Sequence, residues 1–557
     1  MPIPSDIHSI PDVVDKAAAR SPDSVALRDN SNGVFHSWSY TQLSDTMYRV
    51  ARFLHQNGVA FDDTVGILLP NCRWWGAAFL GVLACDAIAV PLDSRLQQAE
   101  LAEIFLSARL TALIVSPLFA KSVEQLQAAG VSCDTVLWLN TDPRSDAPSP
   151  ALDSCSNLPL HRKKFRSANA CLIYTSGTTG NPKGVVLTHA NLLSNAYDLV
   201  AYLEVDSSQH FVSILPLNHV FEITGGFLAP LILRASVTYA GSLRPDVILH
   251  TIRNSDTTVM MVVPVFLRLF LTTLRAQCRQ KGGVIFFALF AFSRFALSCR
   301  IPIGKLLFRS LKSHLNPCFR AFVCGGAPLE ASVVRDFAAL GLTVLQGYGL
   351  SETSPVICVN SFRFNRIGSV GKPLPTLEVR IAGPDGLPAR QGELLVRGNA
   401  VFNGYYHNPR ATDAVFHNHW FRTGDIARIL PGGYISIRGR AKDTIITDGG
   451  KNIYPDEIEA VLLRSPLVAD ACVVGLRDHR AGERPVAVIT VVHGYRSDNQ
   501  QNLYQQLRPL LHSIAEYKRP RKMYLWDSLP KTAALKTKRS EVAARLVQDC
   551  QHGLIHG

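Results

Sequence analysis

The sequence predicts an α/β chain: a large N-terminal domain with mainly parallel sheets and a small β subdomain, followed by a small α+β C-terminal domain. Three observations predict it. Its 557 residues, 47% of them hydrophobic, exceed what one core usually supports, so at least two domains are expected. Short apolar runs alternate with helix-like segments through the first part of the chain, the pattern of a largely parallel sheet. Around Gly371 the texture changes to short β-rich runs separated by turns.

In chain order, TVGILLP reads as a strand and NCRWWGAAFLGVLACD as the helix after it. ALIVS and TVLWLN are strands with the helix FAKSVEQLQAAG between them, and DSCSNLPLHRKKFRSANA is a surface connection. CLIY and VVLTH flank the loop YTSGTTGNPKG and predict strand, loop, strand. LEVRIAGPDGLPARQGELLVRG and ARILPGGYISIRGR place the β subdomain at about 371–439. A βαβ-like tail follows: helix PDEIEAVLLRS, strands ADACVVGL and RPVAVITVV, helix NLYQQLRPLLHSIAEY, strand KMYLWD.

The net charge of +13 is concentrated. Between Asp256 and Glu330 there is no acidic residue, while Arg268, Arg275, Arg279, Lys281, Arg294, Arg300, Lys305, Arg309, Lys312 and Arg320 lie inside that interval. No nucleic-acid module accompanies them, so a nucleic-acid partner is not expected. Arg294 and Arg300 interrupt the apolar run VIFFALFAF well short of the roughly 20 residues a spanning helix needs. Two readings stay open: a basic amphipathic surface attracted to an anionic membrane, or a helical insertion whose apolar side packs on the body. The twelve cysteines show no CxxC pair, and the first residues carry acids and prolines rather than an apolar core. A cytoplasmic protein is the expectation, with peripheral attachment to the inner face of a membrane under the first of the two readings.

In YTSGTTGNPKG, three glycines allow backbone amides to turn toward an anion, hydroxyls add neutral donors, and Lys183 adds a point charge. Only Asn-Pro separates Gly180 from Lys183, which excludes Walker spacing. Six further segments follow in order: LPLNHVFE, GGAPLE, GYGLSETSP, FRTGD, GRAKDTIITDGGKNIYPDEIE and LPKTAALKTKR. Together with the loop, they resemble the motifs of the adenylate-forming superfamily, in its acyl-CoA synthetase branch, over Tyr174 to Arg539.

The resemblance implies ATP-dependent conversion of a carboxylate to an acyl-AMP with loss of pyrophosphate, then transfer to a thiol. Two anions must meet, so such a site needs cations and positioning. By resemblance, Thr175, Ser176, Gly177, Thr178, Thr179, Gly180 and Lys183 hold phosphates, and Gly325, Gly326, Ala327, Pro328, Gly347, Tyr348 and Gly349 border the adenine. Ser351 contacts the α-phosphate, Glu352 ligates Mg2+, Asp425 accepts the ribose hydroxyls, and Arg440 contacts ribose or phosphate. His219 is either a packing residue or a gate between adenine, acyl group and thiol. Lys536 neutralises charge at the α-phosphate, with Leu535 standing where the family usually has glycine. The same resemblance implies a domain of residues 1–439, a mobile domain of residues 440–557 with a hinge at 440–443 pivoting on Lys442, and a thiol tunnel at Gly449 and Gly450.

The apolar, basic stretch from Leu267 to Phe319 resembles long-chain ligases, so a long-chain fatty acid is the expected substrate and CoA the expected acceptor. Acyl carrier protein, through its pantetheine, is the alternative acceptor. A ligase stopping at acyl-AMP and a catalytically impaired lipid-binding or membrane scaffold are the other readings. Lys536→Ala is expected to slow adenylation severely while leaving thioester transfer from preformed acyl-AMP largely intact. Assaying both half-reactions checks this, and equal loss of both counts against it.

Overall fold

The computed structural model describes all residues except 1, 145–148, 154, 156–161, 163–164, 176–181, 281–282, 384, 448–450, 479–481, 493–499, 532–536 and 552–557. The chain divides into two compact units, one of Met1–Gly326, Val333–Glu378 and Val396–Phe421, the other of Ala327–Ser332, Val379–Leu395 and Arg422–Gly557.

The first unit holds two large sheets. In the six-stranded one the order is Thr135–Trp138, Ala112–Val115, Thr64–Leu68, Ile88–Pro91, Asn169–Thr175, Lys183–Thr188. All neighbours are parallel except the last pair, an antiparallel hairpin. Four residues at a stretch are wholly buried in Ile88–Pro91 and Ala112–Val115, as expected for strands covered on both faces. The nine-stranded sheet has a parallel centre: Thr343–Gly349, Ala321–Cys324, Val259–Val262, His210–Ser213, Ser236–Tyr239, Val25–Ser31. Antiparallel strands close its edges, Val34–Ser39 on one side and Val356–Val359 then Lys372–Pro373 on the other.

The helix Arg73–Ala84 is buried at every position. An apolar surface all round makes it a core element rather than a surface one. Its Gly81 lies against the helix Tyr40–Gln56, where an added Cβ would come within 2.5 Å of Val50 Cβ. At its start Arg73 pairs with Asp29 at 3.5 Å, both buried, and the guanidinium lies over the Trp38 ring at 4.9 Å. A buried cation is tolerated there because charge partner and ring replace water.

The expected β subdomain corresponds to a five-stranded sheet, in the order Leu377–Ala382, Gln391–Gly398, Trp420–Leu430, Phe416–His417, with Tyr434–Arg440 also on Trp420–Leu430. In the tail, Val468–Asp478 and Gly482–Val491 are antiparallel, and the helix Gln500–Leu511 leads to Lys522–Leu525, parallel to the second. The sequence reading had not anticipated the edge strand Val34–Ser39, the π-helical segment Glu222–Leu228 or the final helix Arg539–Gln551. The basic apolar stretch is helical: Pro264–Gln280, Val284–Ser298, Gly304–Leu307 and Arg309–Leu315.

Candidate active site

The hairpin Asn169–Thr175 and Lys183–Thr188 carries the loop at its tip, with Thr175 opposite Lys183 and Tyr174 opposite Gly184. Ser176, Gly177, Thr178, Thr179 and Gly180 lie outside the described residues. The strand of Lys183 is joined on its other side by Gly404–Tyr406. Val186 N–H donates to the Gly404 carbonyl at 3.2 Å and Tyr406 N–H to the Gly184 carbonyl at 2.8 Å. These bonds put the Tyr405 ring under the Lys183 ammonium, 5.4 Å from Nζ.

The Tyr405 hydroxyl donates to Glu352 Oε1 at 2.9 Å. Glu352 sits in the single turn Ser351–Thr353, and its carbonyl accepts Phe402 N–H at 2.8 Å. One tyrosine therefore stands beside both the cation and the carboxylate. The sequence reading missed it, because an aromatic in FNGYYHNP carries no chemical signal by itself.

Buried polar contacts hold the Glu352 turn. The Thr353 hydroxyl donates to the Pro355 carbonyl at 2.5 Å and Ser354 Oγ to the Ala400 carbonyl at 2.8 Å. Asn195 reads both sides of Val356, donating to its carbonyl at 2.7 Å and accepting its N–H at 3.2 Å. Gly349 is required at the preceding strand end, since a Cβ there would lie 1.8 Å from the Pro355 oxygen. Gly347 and the half-buried Tyr348 oppose Val359 and Cys358 on the neighbouring strand. Gly325 closes the strand Ala321–Cys324 with Phe221 against it, and Gly326 follows with a left-handed φ of +82°. Gly325 and Gly347–Gly349 thus stand at the carboxyl ends of adjacent parallel strands, where open α/β sheets bind ligands.

His219 is half-buried, on the segment that leads into the π-helical turns. Asn71 holds that segment, donating to the Leu215 carbonyl at 2.5 Å and accepting Leu217 N–H at 3.1 Å. Burial raises the Asp93 carboxyl, but its pairing with Arg95, helped by His219 nearby, leaves it below the usual value. Thr224 ties the same segment to the Glu352 turn through the Ser354 carbonyl at 2.8 Å. Gly225 has no room for a side chain, since a Cβ would meet Met261 Cε at 2.5 Å.

Glu222, one turn on from His219, is fully buried, and neither carboxyl oxygen has a hydrogen-bond partner of normal geometry among the described residues. Burial pushes its pKa up to about 8, with the Ser213 hydroxyl opposing. It is a neutral acid at pH 7. The composition of LPLNHVFE alone could not show this.

In the second unit, Asp425 and Arg440 face each other across antiparallel strands, with Arg440 Nε 2.9 Å from Asp425 Oδ1. The Thr423 hydroxyl accepts Asp425 N–H at 3.1 Å. Ala327 and Pro328 are exposed in the short stretch Ala327–Ser332 of this unit. Lys442 is exposed in the turn Ala441–Asp443. Gly449, Gly450, Leu535 and Lys536 lie outside the described residues.

The flanks of Lys536 are anchored. Lys531 bridges to Thr537 across the segment, Lys538 N–H donates to the Pro530 carbonyl at 2.8 Å, and Lys531 Nζ pairs with Asp470 at 2.6 Å. Arg539 contacts Asp443 at 3.4 Å and Asp456 at 2.8 Å, pairs with Glu459, and donates to the Val473 carbonyl at 2.6 Å. Burial pushes Asp456 and Glu459 upward, with Arg539 opposing. One guanidinium thus ties the Lys442 turn to the residues that follow Lys536.

Glu352 suits Mg2+ as one carboxylate among phosphate and water ligands, which is how that ion is commonly held. Among the described residues no group of three or more His, Cys, Asp or Glu forms a metal-binding cluster.

Residues 14–406 match the AMP-binding enzyme family, and residues 457–536 match the AMP-binding enzyme C-terminal domain. Feruloyl-CoA synthase of an Amycolatopsis species is 30% identical over 95% of this chain and 97% of its own. A long-chain-fatty-acid CoA ligase of Mycobacterium tuberculosis is 30% identical over 88% of this chain and 90% of its own. Among solved structures, ATP-bound MatB from Rhodopseudomonas palustris superposes with a TM-score of 0.79 at 27% identity, covering 97% of this chain and 99% of its own.

Glu222→Gln is expected to stabilise the fold increasingly as pH rises. Wild type keeps a proton on Glu222 up to about pH 8 that the unfolded chain gives up above the ordinary value of 4.5, so its folding grows costlier across that window. Denaturation midpoints of the two proteins should nearly coincide at the acid end and separate by on the order of a few kcal/mol at the alkaline end.

Proposed function

The chain belongs to the AMP-binding enzyme family and is an AMP-forming acid-CoA ligase, and on that premise we propose that its acid is a long-chain fatty acid and its acceptor CoA. The observation that carries the catalytic part is the grouping of Lys183, Tyr405 and Glu352. A cation and a carboxylate on one ring are what a polyphosphate and its counter-ion require on adjacent sides. Mg2+, when bound at Glu352, supplies charge neutralisation to the phosphates.

In the proposed reaction a carboxylate oxygen of the acid attacks the α-phosphorus of ATP, and the bond to the bridging oxygen of pyrophosphate breaks. Lys183 and the loop from Thr175 to Gly180 steady the departing phosphates. Ser351 contacts the α-phosphate, and Lys536 offsets the charge that builds there. Tyr348 and the segments Gly325–Pro328 and Gly347–Gly349 take the adenine; Asp425 accepts the ribose hydroxyls, with Arg440 beside it. The thiol sulfur of CoA then attacks the acyl carbon and AMP leaves. His219 gates the approach. We assign the pivot to Lys442, the boundary to residues 439–440 and the thiol passage to Gly449 and Gly450, so that one tail serves both steps.

The long-chain assignment is supported by the apolar residues of the segments 219–231 and 260–266, the expected source of the acyl pocket, among them the buried Val220, Ile223, Phe227, Leu228, Met260 and Met261. The resemblance to a fatty-acid ligase supports it further. The feruloyl-CoA relative favours an aromatic acid as the second reading. We place the chemistry in the cytoplasm, at the inner face of a membrane.

Tyr405→Phe is expected to lower pyrophosphate release by about tenfold, because a hydrogen bond to a charged carboxylate is lost. The effect should lie in the nucleotide and magnesium dependence, not in the dependence on the acid. Initial rates across both titrations check it. Rates over acids of increasing chain length beside ferulate decide the substrate: an optimum at long chains is expected, and a wide preference for short or aromatic acids overturns it. Product formation with CoA against acyl carrier protein decides the acceptor, and release of pyrophosphate with neither thiol used identifies an acyl-AMP ligase.

A further inference from the structure

The helix Val284–Ser298 has two apolar faces, and the body of the protein covers only one. Phe290, Ser293 and Ala296 are buried, and Ser293 Oγ donates to the Ala339 carbonyl at 2.7 Å. Arg275 and Arg294 both pair with Asp336, at 2.6 and 3.2 Å. Gly304 sits so close to Ala339 that a Cβ would lie 2.3 Å from its oxygen. The insertion is therefore seated on the protein by a defined inner face.

Its outer face has no such cover among the described residues. Val284, Ile285, Phe292 and Phe295, with Leu269, Ile301 and Leu306 on neighbouring segments, are between 53% and 78% exposed. Ala288 and Ala291 are exposed between them. The exposed positions of the helix recur every three or four residues, which makes one continuous stripe rather than scattered apolar side chains.

The charge around this stripe is of one sign. Residues 257–329 include no Asp or Glu, and Arg279, Arg300, Lys305 and Arg309 are exposed on the same group of helices. An apolar face flanked only by cations suits a surface that presents anions outside and hydrocarbon beneath. An acidic protein would satisfy the cations and leave the phenylalanines wet. No helix among the described residues is long and apolar enough to cross a membrane, and 15 residues lying in the surface plane need not.

We propose that the outer face of Val284–Ser298, with the basic residues beside it, is a docking surface for an anionic lipid membrane, into which Phe292 and Phe295 insert. The proposal gives a structural means to the membrane placement made above. It rests on the surface alone, so its failure leaves the ligase reading standing.

Co-sedimentation of the full chain with phosphatidylcholine vesicles, with and without phosphatidylglycerol, tests it. Wild type should partition strongly to the anionic vesicles and weakly to the neutral ones. Combined F292S and F295S should lose binding to both. Neutralising Arg279, Arg300, Lys305 and Arg309 to Gln should abolish the preference for anionic lipid, at about fivefold per charge removed. All variants should retain wild-type pyrophosphate release with a soluble acid, which shows that they fold. Three results overturn the proposal: equal binding of wild type to both vesicle types, a preference for anionic vesicles that survives neutralisation of the bases, and absence of vesicle binding. A change in solution mass with the two serines, or capture of an acidic carrier protein dependent on the bases but indifferent to Phe292 and Phe295, would assign the face to a second copy or to a protein instead.

Discussion

Two backbone hydrogen bonds, from Val186 to Gly404 and from Tyr406 to Gly184, set the geometry on which the candidate site depends. They lay a segment more than 200 residues away along the chain beside the strand that begins with Lys183. Side-chain alternation then directs Tyr405 toward the lysine and its hydroxyl toward Glu352. Backbone pairing does this better than a side-chain contact would, because the bonds involve no rotamer freedom. Gly184 makes the approach possible, since a Cβ would stand 3.2 to 3.3 Å from Tyr174 and Tyr406.

The polar interior of the first unit serves the same end. Asn195, Thr353, Ser354 and Thr224 are buried and bonded to main-chain groups around the turn that carries Glu352. Such bonds add little net stability each, yet leaving any of them unmade in a dry interior is costly. They therefore select one arrangement of the loops. Glu222 is the exception: its acid is buried without such a partner, and burial favours its neutral form.

In the second unit the corresponding role falls to Arg539. It gathers Asp443, Asp456 and Glu459, so the turn containing Lys442 and the end of the lysine segment share one half-buried cation. The outer face of Val284–Ser298 is the opposite case, with apolar surface left exposed at the cost of water contact. In the one, carboxylates gather round a single guanidinium; in the other, apolar side chains stand in water.

Much of this was legible in the residues. Alternating apolar runs determined the parallel sheets, because strands buried on both faces cannot be written otherwise. The hairpin around YTSGTTGNPKG and the tail helices Pro455–Leu462 and Gln500–Leu511 followed from local pattern. The family resemblance named Lys183, Glu352, Asp425 and Arg440, because each stands inside a matching motif. Pairings between distant segments were not legible. Nothing in FNGYYHNP signals that Tyr405 meets Glu352, and nothing in the basic apolar stretch tells which face of Val284–Ser298 is seated and which is bare. Those outcomes depend on contacts that exist only once the chain has closed on itself: periodicity and charge determine what a segment can do, and the tertiary structure alone decides what stands next to it.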